Sequence, residues 1–177
     1  MIDEHELRRL TAGRWLVPLL AHLDAGGGGS RFAAMLSQVG LSRSALAASL
    51  GQLQEAGWLV RNSGHGHPLR PEYVLTASGA TVAAFCGKLM EQRRRLGLEP
   101  VQLPRWSLPV VARLDEATAR FTDLRQILAP VTPRALSLTL KQLLSVTLIE
   151  RALEDRFPPI AIYGLTPKGR ALAEVMR

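Results

Sequence analysis

Cysteine is nearly absent from this chain of 177 residues. Its single copy, Cys86, cannot close an internal disulfide, which excludes a disulfide-stapled scaffold and points to a reducing cytoplasm. Long apolar runs are missing as well. The longest, Trp15–Leu23, is interrupted by Pro18 and falls short of the roughly 20 residues that span a bilayer, so no membrane partner is expected. The opening Met1–Glu6 is acidic and lacks an apolar core, so no secretory signal is expected. Acidic residues are the minority charge, 15 Asp and Glu against 22 Lys and Arg, a net +7 that favours polyanionic partners such as nucleic acid.

Catalytic signatures are also lacking. Gly26–Gly29 has no following Lys-Ser/Thr and no preceding strand, so it is not a phosphate-cradling loop. Cys86 has no base nearby in sequence, and no Ser/His/Asp set has motif support. His65-Gly66-His67 stands without cysteine or carboxylate neighbours and reads as loop residues, not metal ligands. The expectation is a protein without catalytic residues, metal or cofactor. With 47% hydrophobic and 21% charged residues, the chain nevertheless has the makings of a core, and its length suits one domain or two small ones.

An internal repeat decides between these. Arg14-Trp15 and Arg105-Trp106 lie 91 residues apart, and Arg31-Phe32 and Arg120-Phe121 lie 89 apart. Leu46, Leu50 and Leu53 return as Leu136, Leu140 and Leu143 at an offset of 90, as do Pro68, Tyr73, Leu75-Thr76 and Gly79 as Pro158, Tyr163, Leu165-Thr166 and Gly169. Two copies are too few for a solenoid array, so the expected organisation is two domains, 1–97 (with an extra helix Asp3–Leu10) and 103–177. Leu7 and Leu10 of that extra helix could dock on the second unit.

Both copies read alike. An apolar helix over Trp15–Ala25 carries Pro18 in its first turn, where a missing N–H costs little, and buries Trp15 (Trp106 in the second copy). A short helix Phe32–Leu36 has Ser30 as its N-cap, and a third begins after Ser42 with Leu46, Leu50 and Leu53 on one face. Gly57 ends it in the left-handed conformation. Strands Trp58–Arg61 and Tyr73–Leu75 flank a Gly-, His- and Pro-rich loop, and Thr76 caps a last helix reaching the solvated cluster Arg93-Arg94-Arg95. The second copy uses Thr132 and Thr166-Pro167 as caps. Helix–helix–helix–strand–loop–strand–helix is a winged helix-turn-helix, so the fold class is mainly α with small β-hairpins: two tandem winged helix-turn-helix domains.

Gly13-Arg14-Trp15, Leu41-Ser42, Leu53-Gln54-Glu55-Ala56-Gly57 and Tyr73-Val74-Leu75-Thr76-Ala77-Ser78-Gly79, with Arg105-Trp106, Arg120-Phe121 and Tyr163-Gly164-Leu165-Thr166-Pro167-Lys168-Gly169, carry a resemblance. In these the chain resembles the HxlR family of bacterial winged-helix regulators, relatives of the MarR family. The resemblance covers roughly 11–95 and 103–176. It implies transcriptional regulation through double-stranded DNA by a domain that normally dimerises on palindromic sites. Here the duplication would build that dimer within one chain as an internal pseudo-dimer, with further homodimerisation and a small-molecule effector as additional partners, in the cytoplasm at the nucleoid. The chain departs from the family in lacking a Cys-Pro within Leu7–Ala12, and in carrying Ala47-Ala48-Ser49 and Ser137-Leu138-Thr139 on the helices that would read DNA.

A winged helix-turn-helix reads DNA with the start of its third helix, flanked by cations on phosphates and a wing in the adjacent groove. The expected groove readers are Ser42, Arg43 and Ser44 in the first copy, and Thr132, Arg134 and Ser137 in the second. An arginine there can pair with guanine O6 and N7. Arg61, Arg70 and Lys141 are the expected phosphate contacts, with His65 and His67 also on the first wing. The second wing, Glu150–Arg156, holds three carboxylates and is expected to contribute little to DNA or to face a protein. Since Arg43 and Arg134 are out of register by one, the two heads are expected to bind an asymmetric operator. The alternative is a tandem winged-helix scaffold, a chromosome-organisation or transcription-complex adaptor with little or no DNA specificity.

Overall fold

The computed structural model describes residues 2–62, 72–99, 103–154, 157 and 159–177. Packing divides the chain into an N-terminal unit, Ala12–Met90, and a C-terminal unit made of Met1–Thr11 with Glu91–Arg177. Among the described residues no helix is long and apolar enough to cross a membrane.

In the N-terminal unit, α2 (Leu16–Ala25) buries Leu16, Val17, Leu19, Leu20 and Leu23. A short strand, β1 (Gly29–Arg31), leads into α3 (Phe32–Val39), which stops at Gly40 with φ 68°. Then α4 (Arg43–Glu55) buries Leu46, Leu50 and Leu53, on the face that their spacing predicts. Gly57, at φ 75°, turns the chain into β2 (Leu59–Asn62), a conformation that costs glycine little. The strand β3 (Glu72–Leu75) lies between β1 and β2, with Tyr73 opposite both Ser30 and Arg61. Helix α5 (Ala77–Arg95) follows, and the boundary between the units falls within it. Cys86 is fully buried on α5, and that burial, reinforced by the Asp24 charge, pushes its thiol pKa well up.

The C-terminal unit repeats the order: α6 (Ser107–Glu116), β4 (Ala119–Arg120), α7 (Phe121–Ile127), α8 (Pro133–Ser145), β5 (Ile149–Glu154), β6 (Ile160–Leu165) and α9 (Pro167–Ala173), then a 3-10 turn Glu174–Met176. Its sheet has the matching order β4-β6-β5. Two further pieces complete it. Helix α1 (Glu4–Leu10) is closed at its start by a capping box, in which Glu6 N–H donates to Asp3 Oδ1 at 2.7 Å and Asp3 N–H to Glu6 Oε2 at 3.2 Å. It packs on α6, buries Leu7 and Leu10, and is held at the end of α7 by Arg8, which donates to the carbonyls of Ala129 (2.6 Å) and Ile127 (2.9 Å). The last turns of α5 are tied in by Gln92 Nε2 donating to the Ala171 carbonyl at 2.8 Å. Packing therefore groups the chain differently from the repeat, which would assign 1–97 to one domain.

The repeated Leu-Thr-x-x-Gly has a physical cause. Thr76 caps α5 by accepting from Gly79 N–H at 2.9 Å, while its hydroxyl donates to the Gly57 carbonyl at 2.8 Å. Thr166 does the same with Gly169 (3.1 Å) and the Thr147 carbonyl (2.6 Å). A Cβ at Gly79 would collide with the carbonyl of Trp58, and one at Gly169 with that of Leu148, so only glycine lets the last helix start this close to the strand.

Three expectations are corrected. Ser30 is not the cap of α3: it is paired in β1, and Arg31 takes the N-cap position without a side-chain bond. Trp15 and Trp106 precede their helices and are half-buried, each with an arginine over its ring, Arg14 at 4.9 Å and Arg105 at 5.4 Å. Arg93 is buried, the last described core position of α5, while Arg94 and Arg95 are exposed and pair with Glu91.

Candidate nucleic-acid interface

The start of α4 is set by Ser42, whose Oγ accepts from Ala45 N–H at 3.2 Å and lies 3.2 Å from Ser44 Oγ. This commits Ser42 to capping and leaves Arg43 and Ser44 as exposed groups of the first turn. The Arg43 guanidinium lies 5.7 Å from the centroid of the Phe32 ring at the start of α3, so the two helices together orient it. Ser49 is buried and donates to the Ala45 carbonyl at 2.8 Å, which removes it from the outer surface. The outer stripe of α4 is consequently short: Ser44, Ala47, Ala48 and Gly51.

Helix α8 is built on the same plan. Thr132 caps it through Ala135 N–H at 3.2 Å, Pro133 occupies its first position, and Thr139 is buried against the Ala135 carbonyl at 2.9 Å. Along 41–50 and 131–140 buried and exposed positions coincide residue for residue. The exposed side chains differ. Where α4 has Ser44, Ala47, Ala48 and Gly51, α8 has Arg134, Ser137, Leu138 and Lys141. No carboxylate lies between Pro133 and Ser145, so the charge this stripe carries is all positive.

The wings differ as well. Arg61 is exposed on β2, whereas His65, His67 and Arg70 fall outside the described residues. On the second wing Leu153 is 63% exposed and Phe157 fully so; the same strand carries exposed Glu150 and Glu154, which pairs with Arg120 at 3.4 Å. The structure thus gathers Ser42, Arg43 and Ser44 at one helix start, and Thr132, Arg134, Ser137 and Lys141 along another. Leu138, marked in the sequence only as a departure from the family, is an exposed apolar feature of the second stripe. Its helical spacing from Arg134 and Lys141, four before and three after, was the available signal.

A helix-turn-helix followed by a two-stranded wing, with cations on the third helix, defines a winged helix-turn-helix protein of the DNA-reading kind, here in duplicate. The HxlR-like helix-turn-helix model matches residues 10–97 and again 103–177, and the chain belongs to that family. It is similar to an uncharacterized HTH-type transcriptional regulator of Methanothermobacter thermautotrophicus, with 31% identity over 108 residues, 59% of this chain and 82% of the relative. Among solved structures it is similar to a transcriptional regulator of the MarR family from Enterococcus faecalis V583, at 31% identity and TM-score 0.39, over 40% of this chain and 64% of that one, just under two thirds of its length. It is also similar to the reduced form of the transcriptional regulator YodB from B. subtilis, at 21% identity and TM-score 0.40, over 58% of this chain and 85% of that one.

Proposed function

We propose that this HxlR-like transcriptional regulator occupies double-stranded DNA with two unlike reading heads carried on one chain, and that its operator is asymmetric. The observation that carries this reading is the pair α4 and α8, which share their buried faces and differ at nearly every exposed position. The two units stand in for the two subunits of a dimer, an internal pseudo-dimer suited to half-sites about 34 Å apart, one turn of the duplex. Regulation is by occupancy at the nucleoid and involves no bond chemistry. A small-molecule effector would act by changing the spacing of the heads.

Arg43 and Arg134 are the base-reading candidates, with Ser44 and Ser137 beside them, while Ser42 and Thr132 hold the helix starts. Arg61, Arg70 and Lys141 neutralise phosphates, and His65 and His67 belong to the same wing. A gel shift with mixed genomic duplexes tests the reading. Neutralising about six phosphates makes affinity fall roughly 10³-fold between 50 and 200 mM salt. The absence of binding at the lower salt would contradict it. That result would favour a second reading, a protein-binding scaffold, for which the exposed Leu153 and Phe157 on the carboxylate-bearing second wing speak.

A further inference from the structure

Helix α8 presents one large apolar side chain amid polar and cationic ones. At about 100° per residue, Arg134, Ser137, Leu138 and Lys141 fall within roughly 100° of arc, opposite the buried Leu136, Thr139, Leu140 and Leu143. Leu138 is 58% exposed, one helical turn from each of the two cations. A single exposed leucine on ordinary surface calls for no explanation. This one lies along the axis between Arg134 and Lys141, at one edge of the stripe that a helix-turn-helix lays into the major groove, beside two groups that draw the helix towards phosphate and guanine. Base edges in that groove offer one apolar group, the C5 methyl of thymine.

We propose that Leu138 reads a thymine methyl in the half-site faced by α8, the Arg134 and Lys141 side chains holding it against the base edge. This rests on the DNA-reading function above. The corresponding position of α4 is Ala48, whose side chain ends at Cβ and does not reach as far, so the thymine preference belongs to one half-site only. The contact gives the second head a requirement that its arginine alone cannot supply, since arginine selects guanine.

The test uses the full chain and a duplex recovered by selection from random sequences. Each thymine is replaced in turn by deoxyuridine, which removes the methyl and keeps the hydrogen-bonding edge. At one thymine, in the half-site that Arg134→Ala weakens, the replacement should lower wild-type affinity about fourfold, equivalent to the roughly 0.8 kcal/mol of one buried apolar carbon. Leu138→Ala should bind the two duplexes equally well. Because Leu138 is exposed, an unchanged thermal melt of the variant verifies that the fold is intact. Tolerance of deoxyuridine at every thymine, or an undiminished penalty in Leu138→Ala, would overturn the Leu138 assignment while leaving DNA reading in place. Failure of the wild-type chain to select any duplex would overturn both.

Discussion

Helices α4 and α8 bury the same positions through ten consecutive residues, yet on their exposed sides one carries Ser44, Ala47, Ala48 and Gly51 and the other Arg134, Ser137, Leu138 and Lys141. Packing explains what was kept. Leu46, Leu50 and Leu53, like Leu136, Leu140 and Leu143, fill a core in which a lost side chain leaves a cavity, and Ser49 and Thr139 both return their hydroxyls to the carbonyl four residues back. Nothing in the packing explains what diverged, since those side chains reach solvent. Their difference therefore bears on the partner that each helix meets, and two unlike helices suit two unlike half-sites.

The largest expected effect tests the shared part. Gly79→Ala and Gly169→Ala each drive a methyl into the carbonyl of the residue just before a strand, Trp58 or Leu148, and should destabilise the chain by about 3 kcal/mol, read by urea denaturation. Gly51, with open space where its Cβ would lie, is the control: Gly51→Ala in mid-helix should stabilise by about 0.5–1 kcal/mol. If Gly79 and Gly169 tolerated alanine as Gly51 does, the close approach of helix to strand would not be what preserves the motif.

Next comes the binding difference. Arg134→Ala should cost about 1–3 kcal/mol of specific binding and relax one position of the site, and Arg43→Ala should relax a different one. Loss of the same position in both variants would remove the distinction between the heads.

A smaller effect exploits a place where the copies differ in backbone cost. The turn after the third helix of each winged unit needs a left-handed residue, supplied by Gly57 at φ 75° and by Thr147 at φ 57°. A β-branched residue is strained there, so Thr147→Gly should raise stability by about 1 kcal/mol and Gly57→Thr should lower it by a similar amount. Equal and opposite shifts in the melting curves would show that the two turns are one structure.

The smallest expected change concerns Cys86. Buried, with its thiol pKa pushed up, it should resist a thiol reagent in the native protein and react once the chain is unfolded. Rapid labelling of the folded chain would contradict its place in the core.

Helix positions and caps were legible from sequence because each has a local cause: a hydroxyl one residue ahead of an apolar spacing at Ser42, Thr132, Thr76 and Thr166, and a left-handed glycine at Gly57. Strands β1 and β4, three and two residues long, were not, because so short a segment shows no alternation and exists only through pairing with β3 or β6. Trp15 and Trp106 were misread for a related reason. Their apolar size suggested the core, whereas each lies beneath an arginine at a helix entrance, half in solvent. Of the candidate interface, the cationic helix starts were visible in the chain. The withdrawal of Ser49 and Thr139 from the surface became visible only with the helix geometry, which also brought out Leu138.

Whether one chain reads an asymmetric operator with two unlike heads is decided by selecting duplexes from a random library with the wild-type chain and with Arg134→Ala. Two unlike heads should select two non-identical half-sites about one helical turn apart, with the variant degrading the preference in only one of them. A strict inverted repeat whose halves both weaken in Arg134→Ala would contradict it, and would mean that two chains bind together, each through its C-terminal head.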